Sequence, residues 1–131
     1  MTIPPQVLDA VLAHAREAEP LECCGILVGE GERIVSAVRA RNVADDPARR
    51  FLIDPVEHMA ARRTARGLGL TVVGFYHSHP HSEATPSQTD IAEASYPDAA
   101  SLIVGRKGER VEVRLFRLRD STIETLELEI Q

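Results

Sequence analysis

The stretch Gly74–Asp90, GFYHSHPHSEATPSQTD, decides the reading of this chain. It enters as a strand, crosses a loop rich in Pro and Ser, and leaves as the first turn of a helix. Side chains alternate along a strand, so His77 and His79 share a face and Ser78 points away from it. Asp90 comes eleven residues after His79, where a helix starts. Two imidazoles and one carboxylate converging from a strand end and a helix start supply three protein ligands. Three ligands with one coordination position left open is the arrangement of a catalytic Zn²⁺ site, not of a closed structural one. Each part also has a plainer reading. An H-x-H pair can be surface decoration or a satisfied core pair, and Ser87-x-x-Asp90 is by itself a capping box. The metal reading rests on all four residues falling in one short window, with Pro80 directly after the second histidine.

Outward from this stretch, Leu70–Tyr76 (LTVVGFY) reads as a central, mostly apolar strand that delivers the histidines to its carboxyl end, where open α/β folds keep their sites. Upstream, Ile3, Val7, Leu8, Val11, Leu12 and Ala15 recur at helical spacing and predict an amphipathic helix from Pro4 to about Ala18. His14 is expected on its solvated side. Glu19-Pro20 breaks the helix, and Cys24–Gly29 is a short buried strand bounded by glycines. Glu30-Gly31-Glu32 turns the chain into a pairing strand, Arg33–Val43. Residues 42–50 read as a polar loop and Phe51–Ile53 as a brief strand. Asp54, Pro55 and Glu57 supply an N-cap, a first-turn Pro and an N3 acid for a helix to about Arg66, with His58 exposed in its first turn. Downstream, Ser87 to about Ser95 is a short helix. Strands follow at Ser101–Gly105, around Val111–Leu118, and as one final strand at Ile123–Ile130. Alternating helices and strands give a single mixed α/β domain over residues 1–131. Its curved sheet has about six to eight strands, flanked by about three helices that need it to bury their apolar faces.

With Glu22 in the context Pro20-Leu21-Glu22-Cys23-Cys24-Gly25, the H-S-H, seven residues, S, two residues, D pattern resembles the JAMM (MPN+) metalloprotease family, and in particular its short stand-alone bacterial members. Position alone would make Glu22 a surface carboxylate before a strand. The resemblance implies that it is the general acid/base, that His77, His79 and Asp90 hold one Zn²⁺ per chain, and that Ser87 donates to the developing oxyanion. The Ser87 hydroxyl can do this while its oxygen caps the helix, because it both accepts and donates. The resemblance also implies a substrate: an amide or isopeptide bond after the C-terminal Gly-Gly of a ubiquitin-like or sulfur-carrier protein. Release of cysteine from a sulfur carrier is the leading specific expectation, and cleavage of an isopeptide-linked modifier the second. Two rivals stay open. A two-histidine, one-carboxylate set can hold Fe(II) in an oxygenase, and non-catalytic scaffolds of the MPN group share the fold.

Composition narrows the classes. At 131 residues the chain supports one core. With aromatics at 4% and no Trp, that core must come from Val, Ile, Leu and Ala. A net charge of −5 argues against a general nucleic-acid binder. No apolar run reaches the ~20 residues of a membrane span, and no signal peptide is evident. The only two cysteines, Cys23 and Cys24, are adjacent. They cannot staple distant loops and read as reduced thiols in a cytoplasmic protein, one facing the core and the other the opposite side. Between Arg33 and Arg66 eight arginines face four acids, either a solvated surface or a steering patch for an acidic partner. His81 is expected to be a bystander. The oligomeric state is left open, a homodimer included.

Overall fold

The computed structural model describes all 131 residues. The elements are β1 (Thr2–Ile3), α1 (Pro5–Ala18), β2 (Cys24–Glu30), β3 (Arg33–Ala40), α2 (Pro55–Gly67), β4 (Thr71–Ser78), α3 (Gln88–Ala92), β5 (Ala100–Lys107), β6 (Arg110–Arg119), β7 (Thr122–Leu126) and β8 (Glu129–Ile130). All eight strands form one sheet in the order β7-β6-β5-β4-β2-β3-β1-β8. β4 lies in its middle, antiparallel to β2 and parallel to β5. Only Glu127 and Leu128 separate β7 from β8, yet these strands form opposite edges of the sheet. A two-residue link spans that gap only if the sheet curls until its edges meet.

The curl wraps α1. Val11 and Ala15 of α1 pack with Ile3, Leu27, Tyr76, Leu102 and Leu115, which come from β1, β2, β4, β5 and β6. The opposite face carries α2, whose Ala61 and Ala65 meet Cys24, Ile26, Val28 and Ala40. Cys23 belongs to the first core and Cys24 to the second, the division that strand alternation predicts. Small residues on α2 let it approach the sheet closely. Its start is as expected: Asp54 accepts from the Val56 N–H, with Pro55 at the first position.

Six sequence expectations change, the one at His58 being described with the site below. Ile3 is strand, fully buried, not part of the helical stripe; its spacing to Val7 imitates that stripe. The final segment is two strands, because the chain leaves β6 at Leu126 and crosses to pair with β1. Phe51–Ile53 contributes a single bridge between Asn42 and Ile53 rather than a strand. The helix after Ser87 stops at Ala92. His14 is half-buried, with Nδ1 2.7 Å from the Tyr76 hydroxyl, so it ties α1 to the sheet core instead of facing solvent. Burial pushes its pKa down, and Arg39 adds to this.

The arginine-rich span is largely neutralised. Arg33, Arg39, Arg41, Arg49 and Arg50 each face a carboxylate, which favours a solvated surface over a steering patch. No helix is long and apolar enough to cross a membrane.

A candidate metal centre

β4 places His77 and His79 on the α2 side of the sheet, the same face as Phe75. His77 pairs in register with Cys24 on β2 and Ile103 on β5, so its backbone is fixed from both sides. Ser78 points to the other face, where its Oγ accepts from the Cys23 N–H at 2.8 Å. His79 follows the strand, and its N–H donates to the Val104 carbonyl at 2.7 Å. Asp90 arrives from α3. The capping box is complete: Ser87 Oγ accepts from the Asp90 N–H at 3.0 Å, and Asp90 Oδ2 accepts from the Ser87 N–H at 2.9 Å. Capping and site-building therefore use one carboxylate.

The three donor atoms form a closed triangle. His77 Nε2, His79 Nε2 and Asp90 Oδ2 are each 3.1 Å from the other two. Donors held at 2.0–2.1 Å on a tetrahedral zinc stand about 3.3 Å apart, so the triangle has nearly the size of one face of such a site. The His79 Nδ1–H donates to the Glu83 carbonyl at 2.9 Å, which leaves its Nε2 lone pair aimed at the triangle. His77 is held by a stacked Phe51 ring, centroids 4.2 Å apart. Two ring nitrogens and a carboxylate oxygen gathered this closely can share a proton or together hold a cation. Glu22 completes the cluster. A carboxylate oxygen of Glu22 and one ring nitrogen each of His77 and His79 all lie within 4.8 Å of one another. Glu22 is buried, and its Oε1 has no hydrogen-bond partner. A buried orphan oxygen is costly unless a ligand or substrate proton satisfies it. His77, His79 and Asp90 form the tighter triangle, and Glu22 stands beside it. The residues present fit a divalent metal.

Burial and neighbouring groups shift all four residues. Burial pushes the Glu22 carboxyl up to about 7; the Asp90 charge adds to this and His79 opposes it. Burial also penalises the Asp90 charge, but hydrogen bonds from His77, His79 and the Ser87 N–H outweigh it and hold the carboxyl well below its usual range. Burial pushes His77 down, toward the neutral form a metal ligand needs. For His79 burial works in the same direction, but the bonds to Asp90 and Glu83 prevail and raise it.

Two clefts flank the cluster. On the His77 side lies one of about 360 Å³, lined by Phe51, Ile53, His58, Phe75, Tyr96 and Leu118 with His77 and Asp90. His58 is thus a half-buried member of an aromatic group with Phe75 and Tyr96, not an exposed residue. On the other side lies a polar cleft of about 530 Å³ that holds Glu22, Arg49, His79, His81 and Ser87. His81 is exposed there and takes no part in the triangle.

Two supports escaped the sequence reading. Gly105 on β5 is one. A Cβ there would fall 2.3 Å from the Ala84 nitrogen, because the 82–84 loop lies flat on the strand, with the Arg106 N–H bonded to the Ser82 carbonyl at 2.7 Å. Gly105→Ala should cost about 1–3 kcal/mol in urea unfolding. By moving the Glu83 carbonyl off His79 it should also weaken zinc binding about 10–100-fold by titration. The only sequence signal was a glycine ending a buried strand. The second, Asn42, is taken up below. The cysteines are not candidates for chemistry. Burial pushes Cys23 up to about 11 and Cys24 up to about 12, so almost no thiolate exists at neutral pH. Alkylating the native protein at pH 7.5 should leave both thiols unmodified by mass spectrometry.

Comparison with known proteins follows the same lines. The family described as prokaryotic homologs of the JAB domain matches residues 4–119. A desampylase of Haloferax volcanii is 40% identical over 106 residues, 76% of each chain. A CysO-cysteine peptidase of Mycobacterium tuberculosis is 33% identical over 126 residues, covering 94% of this chain and 86% of its own. A solution structure from Desulfitobacterium hafniense superposes with a TM-score of 0.90 at 27% identity, covering 99% of this chain and 92% of that one. A JAB1/MPN domain protein from Archaeoglobus fulgidus shares the fold, with a TM-score of 0.67 at 22% identity over 99% of this chain and 98% of that one.

Proposed function

The chain belongs to the prokaryotic homologs of the JAB domain, and from that premise we propose that it is a zinc-dependent metallopeptidase. It carries one Zn²⁺ per chain and hydrolyses the bond after the C-terminal Gly-Gly of a ubiquitin-like or sulfur-carrier protein in the cytoplasm. The observation that carries the reading is the 3.1 Å triangle of His77, His79 and Asp90 with a buried, unpartnered Glu22 oxygen beside it.

His77, His79 and Asp90 hold the metal. The ion, when bound, polarises the scissile carbonyl and lowers the pKa of a water to about 7. Glu22 takes the proton from the attacking water and returns it to the leaving amine. Its raised pKa suits a base that must both accept and release a proton near neutrality. The Ser87 hydroxyl hydrogen stays free after capping and donates to the oxyanion as negative charge develops there. Phe51 and the β4 ladder keep His77 from rotating away, so the ligand set is rigid before substrate arrives.

The substrate assignment is supported by the relatives. One is named a CysO-cysteine peptidase, another a probable TtuB-protein conjugate cleaving protease from Thermus thermophilus, 32% identical over 72% of this chain. Release of cysteine from a carrier is the first reading. Isopeptide cleavage is the second, favoured by the 40% identity to a desampylase. The buried, unpaired cysteines suit a reducing compartment. Zinc-loaded protein should be incubated with Gly-Gly-tailed β-grasp proteins joined to a C-terminal cysteine or to an isopeptide-linked lysine. Mass spectrometry should show a carrier ending in Gly-Gly, and chelator should stop its formation. No cleavage of either bond by folded, zinc-loaded protein would refute the proposal.

A further inference from the structure

Glu22 sits where the ladder cannot hold it. β2 starts two residues later, at Cys24, and α1 ends four residues earlier, at Ala18. The backbone of Glu22 is instead held by the loop between β3 and α2. Its N–H donates to the Pro47 carbonyl at 2.9 Å, and its carbonyl accepts from Asn42 Nδ2 at 3.0 Å. Asn42 is the hub of that loop. Nδ2 also donates to the Arg50 carbonyl at 3.0 Å, and Oδ1 accepts from the Ala44 and Leu52 N–H groups at 3.1 and 3.0 Å. These partners are backbone groups of fixed polarity, so the amide has only one orientation. The same loop puts Phe51 on His77, and Arg50 reaches across to Glu93 just beyond α3.

The geometry points to Asn42 as the positioning residue for Glu22: one side-chain amide fixes the backbone that aims the Glu22 carboxylate at the metal ligands. This deepens the proposed function and rests on Glu22 being its acid/base. Asn42 touches neither the ligands nor the reacting atoms. Its effect comes through the placement of a group whose displacement by about 1 Å can cost 10²-fold in rate. Nothing in the loop's composition marks it, since Asn is an ordinary loop residue.

Two substitutions separate positioning from simple loop support. Asn42→Ala removes every bond. Asn42→Asp keeps an oxygen acceptor for Ala44 and Leu52 but loses the donor to Glu22. Both are compared in zinc-loaded protein, with a carrier ending in Gly-Gly-Cys as substrate. Each should lower kcat about 10–100-fold, with KM within about twofold of wild type and zinc content unchanged. Hydrogen exchange supplies a readout independent of activity. The Glu22 amide should lose protection in both variants, the Leu52 amide only in Asn42→Ala, and the Ile26–Val28 amides in neither. Asn42→Asp with normal turnover and a protected Glu22 amide would overturn the inference, as would loss of zinc from either variant. Glu22→Gln run alongside keeps the two claims apart. If it is inactive while both Asn42 variants are normal, only the positioning role fails. If it keeps wild-type turnover, the acid/base role of Glu22 fails instead.

Discussion

Glu22→Gln should lower turnover about 10²–10⁴-fold while metal content and thermal stability stay close to wild type. The amide is nearly isosteric with the carboxyl, so packing around the buried side chain is kept. Gln cannot take a proton from water or return one to the leaving amine, so only the proton transfers are lost. The checks are metal analysis, a melting curve and carrier cleavage on the same preparation. Unchanged turnover would take the acid/base role from Glu22 and restore the Fe(II) oxygenase reading, in which that residue has no necessary part.

Asp90→Ala should have a double effect. It removes the proposed third ligand, so zinc should be lost on desalting and cleavage should fall to background. It also removes one partner of the capping box, leaving the Ser87 N–H without its acceptor. Loss of that contact should cost about 0.5–2 kcal/mol in urea unfolding. His77→Ala removes the metal without touching the cap, so comparing the two divides the ligand role of Asp90 from its structural one. Zinc retained at one per chain in either variant would break the assigned ligand set. A folded wild type that binds no zinc at all would favour a non-catalytic scaffold.

The extent to which this was legible beforehand follows from where the constraints lie. His77, His79, Ser87 and Asp90 could be read because strand alternation and a helix cap are local rules, and both act within one window of the chain. The division of Cys23 and Cys24 between the two cores was legible for the same reason. Glu22 was not: its approach to the histidines depends on β2 pairing with β4 across some fifty residues, and only the family pattern singled it out. Asn42 was missed because its value lies in five backbone groups that converge on it only in the folded loop. The split of the last strand was invisible, since Ile123–Ile130 alternates without interruption and nothing local records that the sheet closes on itself at Glu127-Leu128. His14 and His58 were placed in solvent because a helix wheel shows the near face of a helix and not the ring of Tyr76 or Phe75 that reaches past it.

The most direct measurement is anomalous diffraction at the zinc edge from crystals of the zinc-loaded protein. One peak is expected, bonded to His77 Nε2, His79 Nε2 and Asp90 Oδ2, with the Glu22 carboxylate facing the remaining coordination position and not itself a ligand. A fully occupied peak elsewhere, or an empty triangle with the two imidazoles turned apart, would contradict it.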